Sequence, residues 1–168
     1  MMKEMAKLFL VAALLVTISA CDKQTCENVT CPSGQGCFNG NCYCPDGYEG
    51  TDCQTLSYQK YTNLFGTAYE NCNASPPFIT NSVTIQWTGN RPNEVVIFGL
   101  MGGTCSSVTA FIRTDTNNEG NILEINEQYC GGSSIYGQGT YDKANRRINF
   151  QLYYNISGQT YQCNTVVQ

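Results

Sequence analysis

Six cysteines stand within the 28 residues CENVTCPSGQGCFNGNCYCPDGYEGTDC, from Cys26 to Cys53. No other feature of the sequence restricts the fold so sharply. A segment this short cannot bury a working hydrophobic core, so cross-links must hold it. Zinc and disulfides compete for that role. A zinc cluster wants paired thiolates, usually as C-x2-C, in a reducing compartment. Here 4, 5, 4, 1 and 8 residues separate successive cysteines, and no C-x2-C occurs. Disulfides fit, and they place the chain in an oxidising compartment. Spacing alone leaves fifteen pairings open.

The N-terminal stretch supplies a route out of the cytoplasm. Lys3 and Lys7 precede the apolar run LFLVAALLVTI (Leu8 to Ile18), and the small pair Ser19-Ala20 follows. The uncharged run from Leu8 to Cys21 is 14 residues. A membrane-spanning helix needs roughly 18 or more, so an export signal is expected. The chain has eleven cysteines, and an odd thiol in an exported protein needs an explanation. Ile18-Ser19-Ala20-Cys21 resembles the bacterial lipobox. The resemblance implies a diacylglycerol on the Cys21 sulfur and cleavage that leaves Cys21 as the first residue. Ten cysteines then remain to pair. Two or more acyl chains, such as palmitate, anchor a protein stably without spanning the bilayer. Asp22-Lys23 after the anchor is similar to lipoproteins of the Bacteroidetes. That implies a cell-envelope location at the outer membrane, with the periplasmic or cell-surface face left open.

The run Cys42-Tyr43-Cys44-Pro45-Asp46-Gly47-Tyr48-Glu49-Gly50-Thr51-Asp52-Cys53 resembles the epidermal-growth-factor-like (EGF-like) signature C-x-C-x2-G-[FYW]-x-G-x2-C at every position. The resemblance implies the pairs Cys26–Cys37, Cys31–Cys42 and Cys44–Cys53 and a hairpin near Gly40. Calcium-binding members of that family carry acidic residues just before the first cysteine and a longer central loop. Gln24-Thr25 and the short Phe38-Asn39-Gly40-Asn41 depart from this, so no metal and no cofactor are expected. The module is expected to act as a spacer, with protein recognition as the alternative.

Beyond a polar, linker-like stretch at 54–60, apolar and polar residues alternate. In SVTIQW, Val83, Ile85 and Trp87 share one face; in RINFQLYYNI, Ile148, Phe150, Leu152, Tyr154 and Ile156 do. A period of two marks strands with one dry face. Turn-rich breaks delimit eight strands near 64–72, 81–88, 94–100, 107–114, 120–126, 134–141, 145–155 and 159–167. No segment has the pattern of an amphipathic helix. The fold class is therefore all-β, a small disulfide-rich module plus an eight-stranded antiparallel up-and-down β-barrel, with a two-sheet β-sandwich as the alternative. In such a meander the remaining cysteines gather toward one end. Closure makes the last strand a neighbour of the first, which pairs Cys72 with Cys163 and leaves Cys105 for Cys130. GTAYENC, GQGTY, INFQLYY and QCN resemble calycin-like (lipocalin-like) barrel domains of Bacteroidetes lipoproteins. The Gly-x-Trp of true lipocalins is replaced by Gly66-Thr67-Ala68. The expected layout is a signal peptide at 1–20, a lipidated N-terminus at 21–25, the EGF-like module at 26–53, a linker at 54–60 and the barrel at 61–168.

Composition narrows the function. The chain has no histidine, which removes Ser-His-Asp and Cys-His catalysis. Net charge is −4 and the one basic pair is Arg146-Arg147, so nucleic acid is not an expected partner. The expected function is a non-enzymatic, lipid-anchored envelope protein whose barrel serves binding or structural interaction. Met101, Gly102, Gly103, Tyr129 and Phe78 are candidate rim residues for a glycan, a peptide or a small apolar ligand. Oligomeric state is not legible. One alternative is a carboxylate-based hydrolase. Glu124 and Glu127, an odd number of residues apart on one strand, are expected on opposite faces, which argues against it. The other alternative is a secreted eukaryotic EGF-like adhesion protein with sequons at Asn28, Asn73 and Asn155, which leaves Cys21 unexplained.

Overall fold

The computed structural model describes residues 26–168 apart from 63, 74–78 and 104. The export signal, Cys21, the 21–25 segment and Phe78 lie outside the described residues. The chain divides into two compact units, one of residues up to Thr30 with Cys37–Asn41, the other of Cys31–Gly36 with Cys42–Gln168.

The six-cysteine region contains a two-stranded sheet, β1 (Gly36–Phe38) and β2 (Asn41–Tyr43), and the short pair β3 (Tyr48–Glu49) and β4 (Thr55–Leu56). Its disulfides are Cys26–Cys37, Cys31–Cys42 and Cys44–Cys53. Asn39 and Gly40 both take positive φ, 48° and 78°, the conformation of a type I′ hairpin turn.

Eight further strands form a closed antiparallel barrel: β5 (Phe65–Cys72), β6 (Ile79–Trp87), β7 (Glu94–Phe98), β8 (Val108–Arg113), β9 (Ile122–Cys130), β10 (Ser133–Asp142), β11 (Arg147–Ile156) and β12 (Gln159–Val167). Each strand pairs with its successor, and β12 closes on β5. Closure leaves no open sheet edge. Cys72 and Cys163 face each other in the closing register and are bonded, and a second disulfide joins Cys105 to Cys130.

The alternating pattern fills the barrel. Val83, Ile85, Val95, Ile97, Val108, Ala110, Ile112, Leu123, Ile125, Ile135, Ile148, Phe150 and Leu152 are all buried in one cluster. Trp87 departs from the expectation for its face. It ends β6, where the interior gives way to solvent, and remains 42 % exposed. Its ring stacks on Tyr58 at 4.6 Å and its Nε1 donates to the Arg91 carbonyl.

Residues 54–60, polar in sequence, hold β4 and the start of a one-turn helix, α1 (Tyr58–Thr62). The helix is too short for an amphipathic period to register. Its Tyr61 is buried in the barrel core and donates a 2.5 Å hydrogen bond to the Gly120 carbonyl. Burial, and then Glu49, raise the Tyr61 phenol well above its ordinary value, so it is a neutral donor. Lys60 bonds Glu49 at 2.6 Å and Asn121 at 2.8 Å, and sits over the Tyr61 and Tyr141 rings.

The segment from Cys42 to Leu56 belongs to the same unit as the barrel. Asp46 accepts from Arg113 Nη1 at 2.8 Å and from the Thr114 amide at 3.1 Å. Asn118 accepts from the Cys44 amide and donates to the Cys42 carbonyl. Gly47, at φ +89°, lies so close to the β6–β7 connection that an added Cβ would stand 2.6 Å from the Asn93 nitrogen.

Candidate functional site

Lipid-carrier chemistry would require an enclosed apolar cavity. The inward positions are instead occupied by packed side chains, and both ends carry chain inside the core cluster: Tyr61 at one, Leu100 and Met101 at the other. Met101, expected at a ligand rim, is 2 % exposed and takes φ 55°. It turns inward because its amide donates to a buried carboxylate, Glu70 Oε1, at 2.9 Å. Gly102 and Gly103 continue this tight turn. Tyr129 is the rim residue that does reach solvent, at 86 % exposed. Among the described rim residues, Met101 therefore points into the core while Tyr129 faces solvent, so these two do not share a ligand mouth.

Glu70 went unnoticed in the sequence. It shares the inward parity of Ala68 and Cys72 on β5, a signal that alternation carries in GTAYENC. The Tyr154 hydroxyl donates to Glu70 Oε2 at 3.2 Å. Burial, then the Glu70 charge, push the Tyr154 phenol far above its ordinary value and keep it protonated as a donor. A buried carboxylate needs such partners. Glu70 thereby anchors the Met101 turn across the barrel end.

A groove of about 650 Å³ lies on the outer wall of β9, β10 and β11. Its floor is made of cross-strand pairs. Tyr136 and Tyr153 face each other in register, with ring centroids 5.0 Å apart and planes 12° from parallel. The next outward pair is Gln138 and Gln151. Across β9 stand Asn126, Glu124 and Glu127. A second groove of about 400 Å³ shares Gln138 and Gln151 and continues over Thr140, Asn149 and Asn164.

A β-bulge shapes this wall. Ile135 pairs with Gln128 and Gly137 with Ile125, so three steps on β9 match two on β10. The extra residue reverses the side-chain parity of β9. Glu124 and Glu127, expected on opposite faces, consequently line the same groove. Gly137 takes φ 152°, and a Cβ there would collide with the Gln151 carbonyl. Gln128 carries the ladder past the irregularity: its side-chain amide exchanges two 2.8 Å bonds with the Thr109 backbone.

The groove's charges are already engaged. Arg113 bonds Glu124 through Nε at 2.6 Å and Asp46 through Nη1 at 2.8 Å. The hydrogen bonds it donates to Asp46 and Glu124 hold its guanidinium above the ordinary value. The Ser134 hydroxyl donates to Glu127 at 3.1 Å.

No family model, curated protein or solved structure matches this chain.

Proposed function

We propose that this chain is a non-enzymatic lipoprotein of the cell envelope, tethered through Cys21. In this reading an EGF-like module adjoins a calycin-like barrel that binds with its outer wall. The observation that carries the reading is a groove lined by amides, tyrosines and carboxylates on the outside of a barrel whose described inward side chains are buried in one cluster. A carrier protects an apolar cargo; a solid barrel offers a surface. The bonds of Asp46 and Glu49 to Arg113 and the Gly120 amide hold the segment after Cys42 on the barrel.

Intact mass of the full chain purified from membranes tests the proposal. The expected mature protein begins at Cys21, carries a diacylglycerol, and lacks ten hydrogens for its five disulfides. A free thiol at Cys21, or a chain beginning elsewhere, would overturn the anchor.

One observation favours the hydrolase as a second reading: Glu124 and Glu127 share a groove, as paired catalytic carboxylates must. Against it, Arg113 holds Glu124 at 2.6 Å, an arrangement suited to structure. Release of reducing ends from an oligosaccharide, abolished by Glu127→Gln, would favour the enzyme.

A further inference from the structure

The outer wall of β9–β12 carries an unusual density of side-chain amides. Asn126, Gln138 and Gln151 line the first groove, and Asn149 and Asn164 extend the second. Two neighbouring amides are tied down: Gln128 bonds the Thr109 backbone, and Asn121 bonds Asp115 and Glu119. The five wall amides have no such partner among the described residues. Each presents a donor and an acceptor in one plane, the arrangement that meets neighbouring hydroxyl groups with two hydrogen bonds at once.

Beside the amides stand the paired rings of Tyr136 and Tyr153, and Tyr136 is 38 % exposed. An aromatic face next to planar amides suits a ligand with one apolar C–H face and a rim of hydroxyls. A sugar ring has that build. From Tyr136 to Thr140 the track runs four residues, roughly 13 Å of strand, so it spans more than one ring.

The same wall disfavours other occupants. A peptide recognised by strand addition needs an open sheet edge, and the closed barrel has none. A small apolar ligand needs an enclosed apolar pocket, whereas this groove is open and amide-lined. An anionic ligand needs a free cation, but Arg113 is occupied by Asp46 and Glu124, and Glu127 adds negative charge. We propose that the amide-and-tyrosine wall of β9–β12 is a binding site for a neutral oligosaccharide. This inference rests on the outer-wall reading above and deepens it.

The test uses the full chain in detergent and a panel of labelled neutral α- and β-linked hexose and pentose oligosaccharides. Sulfated and uronate-bearing oligosaccharides serve as comparison. Retention of a neutral oligosaccharide is expected, little changed between 50 and ~500 mM salt because no ion pair forms. Tyr153→Ala and Gln151→Ala are each expected to weaken binding about tenfold or more, with Tyr153→Phe staying within about threefold because the stacked ring remains. Melting curves for each variant separate a lost site from a lost fold. Should Tyr153→Ala unfold the wall, Gln138→Ala and Gln151→Ala carry the test. Absence of binding across the neutral panel overturns the proposal, as does binding that survives the Gln138→Ala, Gln151→Ala double variant. Preference for the anionic sugars overturns it as well. The mass of the lipidated chain is unaffected by any of these results, so the anchor and the ligand fail separately. Cleavage of a bound neutral oligosaccharide would uphold the ligand class and replace the binder with the hydrolase.

Discussion

Gly47→Ala measures how firmly the segment after Cys42 is seated on the barrel. Two costs are separable. Gly47 has φ +89°, where an L side chain is strained by roughly 1–3 kcal/mol. The new methyl would also stand 2.6 Å from the Asn93 nitrogen and the Pro92 carbonyl carbon. Both are backbone atoms in a connection held by the Asn93 carbonyl's bond from the Ile112 amide, so the loop must lift. Lifting strains the 2.9 Å bond from the Ser57 amide to the Gly47 carbonyl and the Asp46 bonds to Arg113 and Thr114. Overpacking of this kind costs about 1–3 kcal/mol, for a total near ~4 kcal/mol. Gly50→Ala is the control. Its φ is +92°, but its nearest neighbours lie 3.6 Å away, so it bears the backbone strain alone. In thermal unfolding with disulfides intact, Gly47→Ala should melt about 3–9 °C below Gly50→Ala, which is the overpacking cost of about 1–3 kcal/mol at about 3 °C per kcal/mol. Amide exchange should accelerate across residues 45–57 and 91–94. Equal melting temperatures for the two variants would refute the claim that the contact with Pro92–Asn93 contributes stability.

Three further outcomes are expected. Tyr61→Phe leaves the buried Gly120 carbonyl without its 2.5 Å donor and should cost about 1–3 kcal/mol in denaturant melts; a change below ~0.5 kcal/mol would show that the bond contributes nothing net. Tyr154→Phe withdraws a donor from the buried Glu70 and should cost about 2 kcal/mol, while Glu70→Gln in the Tyr154→Phe background should recover part of it; no recovery would refute the carboxylate's role. In the β8–β9 connection, burial pushes the Asp115 carboxyl up, but bonds from the Glu119 amide, Asn121 and the Asn117 amide outweigh this and hold it below 3.8. The Asn121 bond leads in holding Glu119 below 4.5. Folded carboxyls that bind protons less readily than unfolded ones contribute stability above about pH 4.5, lost as pH falls through their folded values. The wild type should therefore exceed Asp115→Asn in melting temperature at pH 6, with the gap shrinking as pH falls below 3.8; a gap constant with pH would refute the assignment.

The alternation in SVTIQW and RINFQLYYNI is a local property. A strand with one dry face must repeat every two residues wherever it lies, so the strand count and the barrel's inward residues were open to inspection. Glu70 is legible by the same parity, but its inward position runs against the rule that a dry face carries apolar side chains. The groove was half legible. Asn149, Gln151 and Tyr153 form the polar face of β11 in sequence, but their partners depend on register. Nothing in the linear spacing places Gln138 opposite Gln151 or Tyr136 opposite Tyr153.

The sequence by itself determined the disulfide-rich start, the all-β class and the succession of eight strands, because cysteine density, two-residue periodicity and short connections act through neighbours along the chain. The tertiary structure decided three things. Tyr61 enters the core from a one-turn helix too short to show a period. Met101 is drawn inward by a carboxylate 31 residues earlier in the chain. The extra residue of β9 puts Glu124 and Glu127 on one wall, because a bulge is defined by the partner strand, which a single strand's sequence does not contain.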